Sequence, residues 1–181
     1  PDYGAIVVEM KKDINRLEII ASRFSKIGSE PTVDPVDLIS TIESSVDYMR
    51  KRISKRIPIT IYTELKSAQT RLNVPLFAWV IENLCKNAVD SIGGAEGKID
   101  ITLDEKDEKN YRILISDTGK GIPKSKFKTV FHPGYTTKKR GWGLGLSLAK
   151  RIIETYQKGK IFVSSSELNK GTTFCIFLPK L

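Results

Sequence analysis

The sequence predicts an α+β two-layer sandwich preceded by one long amphipathic helix. Three observations carry that reading. Strand patterns follow one another in series instead of alternating strictly with helices, which argues against a doubly wound parallel sheet. The helical segments each show a single apolar stripe that needs a covering layer. The chain, at 181 residues, is long enough to bury one substantial core with an appended element.

The first element runs from Val7 to Phe24, where Val7, Met10, Ile14, Leu17, Ala21 and Phe24 recur in alternating steps of three and four. This is a heptad-like seam on one helix, and it ends at Gly28, Ser29 and Pro31. A second amphipathic helix is expected from Pro35 to Lys55, with Leu38, Ile39, Ile42, Val46 and Met49 on its buried face. Ile57 to Leu65 alternates apolar and polar residues as a half-buried strand does. Pro75 then opens the most strongly marked helix, through Phe77, Val80, Ile81, Leu84, Cys85, Ala88 and Ile92, closed by Gly93 and Gly94.

Lys98 to Leu103 and Tyr111 to Ser116 read as two strands joined by a charged turn. From Asp117 to Gly145 no long periodic element is present. That stretch exceeds the usual structureless loop of about 12 to 15 residues, so it should be functional, mobile or hold a short helix. A helical pattern resumes from Ser147 to Tyr156, and Lys160 to Ser165 with Thr172 to Leu178 form a terminal hairpin around Asn169, Lys170 and Gly171.

The net charge of +9 favours a polyanionic partner, whether nucleic acid, an anionic surface or a phosphorylated small molecule. The basic run from Arg50 to Arg56 reads as the solvated end of a helix, whereas Lys138 to Arg140 lie in a glycine-rich segment. Cys85 and Cys175 are far apart, each in an apolar run, which fits a reduced cytosolic compartment and supports no metal site. No apolar run approaches the roughly 20 residues that span a bilayer.

Three groups of residues carry chemistry. Asn83 and Asn87 stand four apart on the marked helix and Asp90 follows three later, so the three share about one face. That face is either solvated or occupied by a ligand, and its oxygens suit Mg²⁺. Asp117, Gly119 and Gly121 follow the apolar strand Ile113, Leu114, Ile115. A carboxylate there can accept a hydrogen bond from an exocyclic amine, and the glycines allow close approach of a flat ring. Gly141, Gly143 and Gly145, with Leu144 between, lead into the helix that begins at Leu146. Free N–H groups and the helix dipole make such a junction a phosphate cradle, to which Lys138 can add charge. Each pattern alone is as much a turn or a helix edge as a site.

Order and spacing change that. Asn83 and Asn87, then Asp117-x-Gly119-x-Gly121, then Phe127 and Phe131, then Gly141-x-Gly143-Leu144-Gly145, then Gly171-Thr172-Thr173-Phe174, closely resemble the catalytic, ATP-binding domain of two-component sensor histidine kinases. The resemblance covers residues 33 to 181, with residues 1 to 30 resembling the second helix of a dimerisation hairpin. It implies a Bergerat-type ATP-binding fold in which ATP or ADP with Mg²⁺ sits under a lid at about residues 123 to 142. It further implies Asn87 as metal ligand, Asn83 near the metal and phosphates, and Asp117 on the adenine amine with Thr172 or Thr173 nearby. The resemblance also implies nucleotide contacts for Ile122, Leu144 and Leu146, which flank the glycines, and places Asp90 in the same set.

In the wider superfamily, gyrase-type and chaperone ATPases carry a water-activating Glu four residues before the metal-binding Asn. Here Asn83 occupies that position, and Glu82, the remaining candidate carboxylate, is one residue and about 100° of helix away. Transfer of the γ-phosphate to a protein histidine is therefore expected over hydrolysis, with relay to a response regulator receiver domain, in a kinase that is a homodimer at full length and binds no nucleic acid. The one histidine, His132, precedes Pro133 and does not fit the acceptor pattern, so the acceptor is expected on a hairpin helix outside this fragment and the fragment is expected not to autophosphorylate. The domain is expected on the cytoplasmic side of its parent. The alternatives are a nucleotide-gated interaction module, that is, a degenerate kinase, and a gyrase- or chaperone-type ATPase.

Overall fold

A computed structural model describes residues 31–94, 96–137 and 143–181. The seam expected over Val7 to Phe24 lies outside the described residues, as do Lys138 and Gly141. Asp34–Asp37 forms strand β1, and helix α1 follows over Leu38–Arg50. This corrects the expectation of a helix from Pro35 to Lys55. Pro35 sits in an extended strand, a position its fixed φ and missing N–H also allow, and the helix start is set instead by Asp37, whose carboxylate accepts from the N–H groups of Ile39 (2.8 Å) and Ser40 (3.3 Å). At the other end the Arg50 guanidinium donates to the carbonyl of Ile59 at 2.7 Å, tying the helix terminus to the next strand.

Strand β2 is Ile59–Tyr62, shorter than the expected run from Ile57 to Leu65, and β3 is Gln69–Leu72, which pairs antiparallel with β1 in a small separate sheet. Helix α2 spans Val74–Ile92. Asn73 caps it by accepting from the N–H of Leu76 (3.1 Å), Pro75 occupies its first turn, and the left-handed Gly93 ends it.

Strands β4 (Ile99–Glu105), β5 (Asn110–Asp117), β6 (Lys160–Glu167) and β7 (Gly171–Pro179) complete the main sheet in the order β2-β4-β5-β7-β6. The β2–β4 pair is parallel and the rest are antiparallel. Between β5 and β6 lie two short 3₁₀ turns, Lys124–Lys126 and Thr129–Phe131, then helix α3 over Gly145–Arg151, which continues as a π-helical turn through Ile152–Tyr156.

Period-two alternation puts Ile113 and Ile115 of β5 and Phe174, Ile176 and Leu178 of β7 on one face, where they are buried with Phe77, Ile81 and Leu84 of α2. Arg112, Leu114 and Ser116 point to the other, more open face. Helices on one side of a mixed sheet make the two-layer α+β sandwich that the sequence predicts. Burial raises the pKa of both thiols, Cys85 to about 12 with help from the charge on Glu82, and Cys175 to about 11. They are inert packing residues, not nucleophiles.

Candidate functional site

The site is organised by one face of α2. Asn83, Asn87 and Ser91 recur at intervals of four and line up along the helix. At the upper end the first glycine segment docks on Ser91: the N–H of Lys120 donates to the Ser91 carbonyl and hydroxyl, both at 3.1 Å. Gly119 touches the same residue so closely that a Cβ there would fall 2.6 Å from Ser91 Cβ and overlap its hydroxyl. At the lower end a Cβ on Gly145 would meet Asn83 Oδ1 at 2.5 Å and Nδ2 at 3.1 Å. Only glycine lets each segment lie this close to the helix. Asn87 is therefore flanked, one turn away on either side, by the two docked segments.

Asn83 Nδ2 is buried and has no hydrogen-bond partner among the described residues. An orphaned amide donor costs about 1 to 3 kcal/mol until an acceptor arrives, and an anion's oxygen is such an acceptor. No cluster of three His, Cys, Asp or Glu side chains is placed to hold a metal among the described residues. A divalent cation at Asn87 would thus complete its shell with water and ligand oxygens, a donor set that suits Mg²⁺.

Asp117 ends β5 on the helix-facing side. Burial raises the pKa of its carboxyl above the ordinary value, against the lowering pull of the backbone N–H groups of Gly119 and Thr172. The Gly119 bond is 2.8 Å. Across the sheet Asp117 is registered with Thr172. Strand alternation separates the two candidate threonines: Thr172 shares the Asp117 face, 4% exposed, while Thr173 turns to the open face and bonds Ser116 Oγ at 2.9 Å. Of the two threonines, Thr172 is thus the one on the Asp117 face.

The other expected residues fall as follows. Gly121 is buried against the β6–β7 turn at Glu167, and the N–H of Ile122 donates to Ser166 Oγ at 2.7 Å. The Gly143 carbonyl accepts from the N–H of Gly134 at 3.0 Å, closing the base of the segment between them. Leu144 is 41% exposed and Leu146 half-buried at the start of α3. Asp90 is exposed on the last turns of α2. Glu82 is not brought to this face: it lines a separate groove between α1 and α2 with Ser40, Ser44, Tyr48, Val74 and Ala78. Sequence reasoning passed over Ser91, although its spacing from Asn87 marks it, and Ser166, for which no sequence signal exists.

A family model described as histidine kinase-, DNA gyrase B- and HSP90-like ATPase matches residues 73–181. The chain belongs to this ATPase family. Sporulation kinase E of Bacillus subtilis (strain 168) is 30% identical over 194 residues, covering 98% of this chain and 24% of its own length. The sensor histidine kinase ZraS of Escherichia coli (strain K12) is 31% identical over 174 residues, covering 94% of this chain and 36% of its own. The chain thus spans about a quarter to just over a third of the length of these curated relatives.

Among solved structures, the nucleotide-free catalytic domain of histidine kinase ThkA superposes with a TM-score of 0.72 at 29% identity, over 82% of this chain and 95% of that one. The same kinase in complex with the response regulator TrrA gives a TM-score of 0.75 at 26% identity, over 94% and 49%. The resemblance to sensor histidine kinases read from the glycine and asparagine patterns is borne out by the family match and these relatives. The ATPase family, with sensor histidine kinases among its similar members, is the setting in which the face of α2 is to be understood.

Proposed function

We infer that this domain binds ATP or ADP along the Asn83–Asn87–Ser91 face and presents the γ-phosphate to a histidine on a dimerisation hairpin, for relay to a response regulator. The observation that carries the reading is the docking of one glycine segment at each end of that face, with an orphaned amide donor beside Gly145. Adenine would lie at the Ser91 end, where the Asp117 carboxylate accepts from its exocyclic amine. The phosphates would lie at the Asn83 end, with Asn83 Nδ2 and the backbone N–H groups of Gly143 and Gly145 as donors. Asn87 would hold Mg²⁺, which when bound neutralises phosphate charge. The lid expected at about residues 123 to 142 would close over this face, so that positioning and exclusion of water would be the protein's main contributions.

The relatives' names supply the acceptor class. His132 stands just past a 3₁₀ turn, before Pro133, outside the helical setting expected of the acceptor, and the dimerisation hairpin of the parent kinase would supply that histidine. Hydrolysis is disfavoured because the nearest candidate base, Glu82, lines a different groove. The partners are accordingly ATP, a hairpin histidine in a homodimeric parent, and a receiver domain, on the cytoplasmic side.

Two measurements test this. Calorimetry should show ADP binding whose Mg²⁺-dependent part is lost in Asn87→Ala. Labelled ATP should give no acid-labile, base-stable ³²P on this chain alone, and should label a supplied hairpin histidine. Absence of nucleotide binding, or Mg²⁺ dependence unchanged in Asn87→Ala, would refute the assignment.

A further inference from the structure

Strand β6 contains an irregularity. Ile161 and Val163 pair with Ile176 and Phe174 on the helix-facing side, but the register shifts between Val163 and Ser165, so Ser165 pairs with Thr173 and Ser166 with Thr172. Without the extra residue, alternation would put Ser165 on the helix side and Ser166 on the open face. The bulge reverses that and brings the Ser166 hydroxyl in beside Thr172. Bulges next to functional sites commonly re-aim a side chain in this way.

The Ser166 hydroxyl makes three contacts: it accepts from the N–H of Ile122 at 2.7 Å, donates to the carbonyl of Gly171 at 2.8 Å, and lies 2.9 Å from Thr172 Oγ1. Counting hydrogens decides the third. A carbonyl can only accept and an amide N–H can only donate, so the single Ser166 hydrogen is committed to Gly171. The contact with Thr172 must then run from Thr172 to Ser166. The one hydroxyl hydrogen of Thr172 is thereby used, and Thr172 Oγ1 offers only lone pairs to whatever lies beside it. Its cross-strand neighbour on the same face is Asp117, also an acceptor.

We propose that Ser166 is a specificity-determining positioning residue: by taking the Thr172 hydrogen it makes the base end of the site a pair of acceptors, which admits a purine with an amino group at position 6 and rejects one with a carbonyl there. This rests on the nucleotide reading given above. A freely rotating Thr172 hydroxyl could donate to a carbonyl oxygen, and the site would discriminate less. The bulge in β6 is the structural device that fixes the choice, from outside the first glycine segment and without touching the nucleotide.

The test is calorimetric binding of ADP and of inosine diphosphate, which carries a carbonyl in place of the amine at position 6 and a hydrogen on N1. Wild type should favour ADP. In Ser166→Ala the ADP-to-inosine-diphosphate preference should fall about tenfold, the scale of one hydrogen bond gained by the wrong base, and Ser166→Thr, which restores the hydroxyl, should recover it. A purely structural role would weaken both ligands together and leave their ratio unchanged, and that result overturns the proposal. If Ser166→Ala does not fold, Thr172→Val decides instead: it should lose ADP affinity and not inosine diphosphate affinity, and equal losses overturn the idea. Failure of the wild type to bind either nucleotide would remove the nucleotide reading itself, whereas an unchanged ratio in a binding-competent variant removes only the role of Ser166.

Discussion

Replacing Asp117 by Asn separates two effects of one buried carboxylate. In the ligand-free protein burial lifts the Asp117 pKa above its ordinary value, although the N–H groups of Gly119 and Thr172 pull it down. A folded-state pKa above the unfolded one means that the folded protein holds the proton more readily. The group's contribution to stability is then fully present below the ordinary carboxylate value and is lost as pH rises through the raised one. At neutral pH the ionised carboxylate is a liability to the fold, kept for the ligand. Asp117→Asn keeps an oxygen for the Gly119 N–H, 2.8 Å away in the wild type, and removes the charge. The variant should therefore unfold at a higher temperature than wild type near neutral pH, and the advantage should vanish near about pH 4. Nucleotide affinity should move the other way. A hydrogen bond to a charged group contributes about 1.5 to 3 kcal/mol, so ADP binding should weaken roughly 10- to 150-fold. Thermal unfolding at the two pH values and calorimetric titration with ADP measure both effects. A lower melting temperature at neutral pH, or ADP affinity within about twofold of wild type, would refute the reasoning.

Three further substitutions probe the frame around the site. Burial pushes the Asp37 carboxyl up, but the N–H groups of Ala68, Ser40 and Ile39 and the Ser67 hydroxyl outweigh it and hold its pKa below the ordinary value. Asp37→Ala should cost about 1 to 2 kcal/mol as a lost helix cap. That gap should be full above the ordinary carboxylate pKa and close as pH falls through the depressed one, read from urea unfolding at several pH values. Gly145→Ala should weaken ADP at least about tenfold, because its Cβ would force Asn83 aside, and unchanged affinity by calorimetry would contradict the docking of α3 on that residue. Glu82→Gln should leave ADP affinity and any slow ATP turnover unchanged, and a drop in phosphate release would restore it as a catalytic base.

Much of this fold was legible because its signals are local. The apolar spacing of α2 with Pro75 before it and Gly93 after it fixes that helix from sequence, and the alternation in β5 and β7 fixes which faces are buried. Pro35 misled because proline is equally at home at a helix start and in an edge strand, and the capping carboxylate two residues on was the better guide. Strand β3 escaped because Gln69, Thr70, Arg71 and Leu72 have little apolar content and are held by pairing with β1 and by the Thr70 hydroxyl on the Pro179 carbonyl at 2.6 Å. At the site, Asn83, Asn87, Asp117 and the glycines were visible as spacings. The choice between Thr172 and Thr173 was not, since it depends on strand phase relative to the sheet. Ser166 was hidden for a stronger reason: a bulge inverts alternation, and alternation is the only signal a strand offers.

The helix face also bears on direction and chemistry. Asn83 and Ser91 are eight residues apart, about 12 Å along the axis, and each holds a different glycine segment. A nucleotide laid between them as proposed would have one orientation, because Asp117 and Thr172 are paired at the strand end that leads to Gly119 and Ser91, and the orphaned Asn83 donor adjoins Gly145. The reading that follows puts the terminal phosphate beside amides, which orient and stabilise charge but do not remove a proton from water. A base in the position of Asn83 would have favoured hydrolysis, and the carboxylate one residue earlier is turned by about 100° into the groove against α1. On that reading, a site that holds the phosphate without activating water would keep it for a nucleophile that needs no deprotonation to attack, and a neutral imidazole is one.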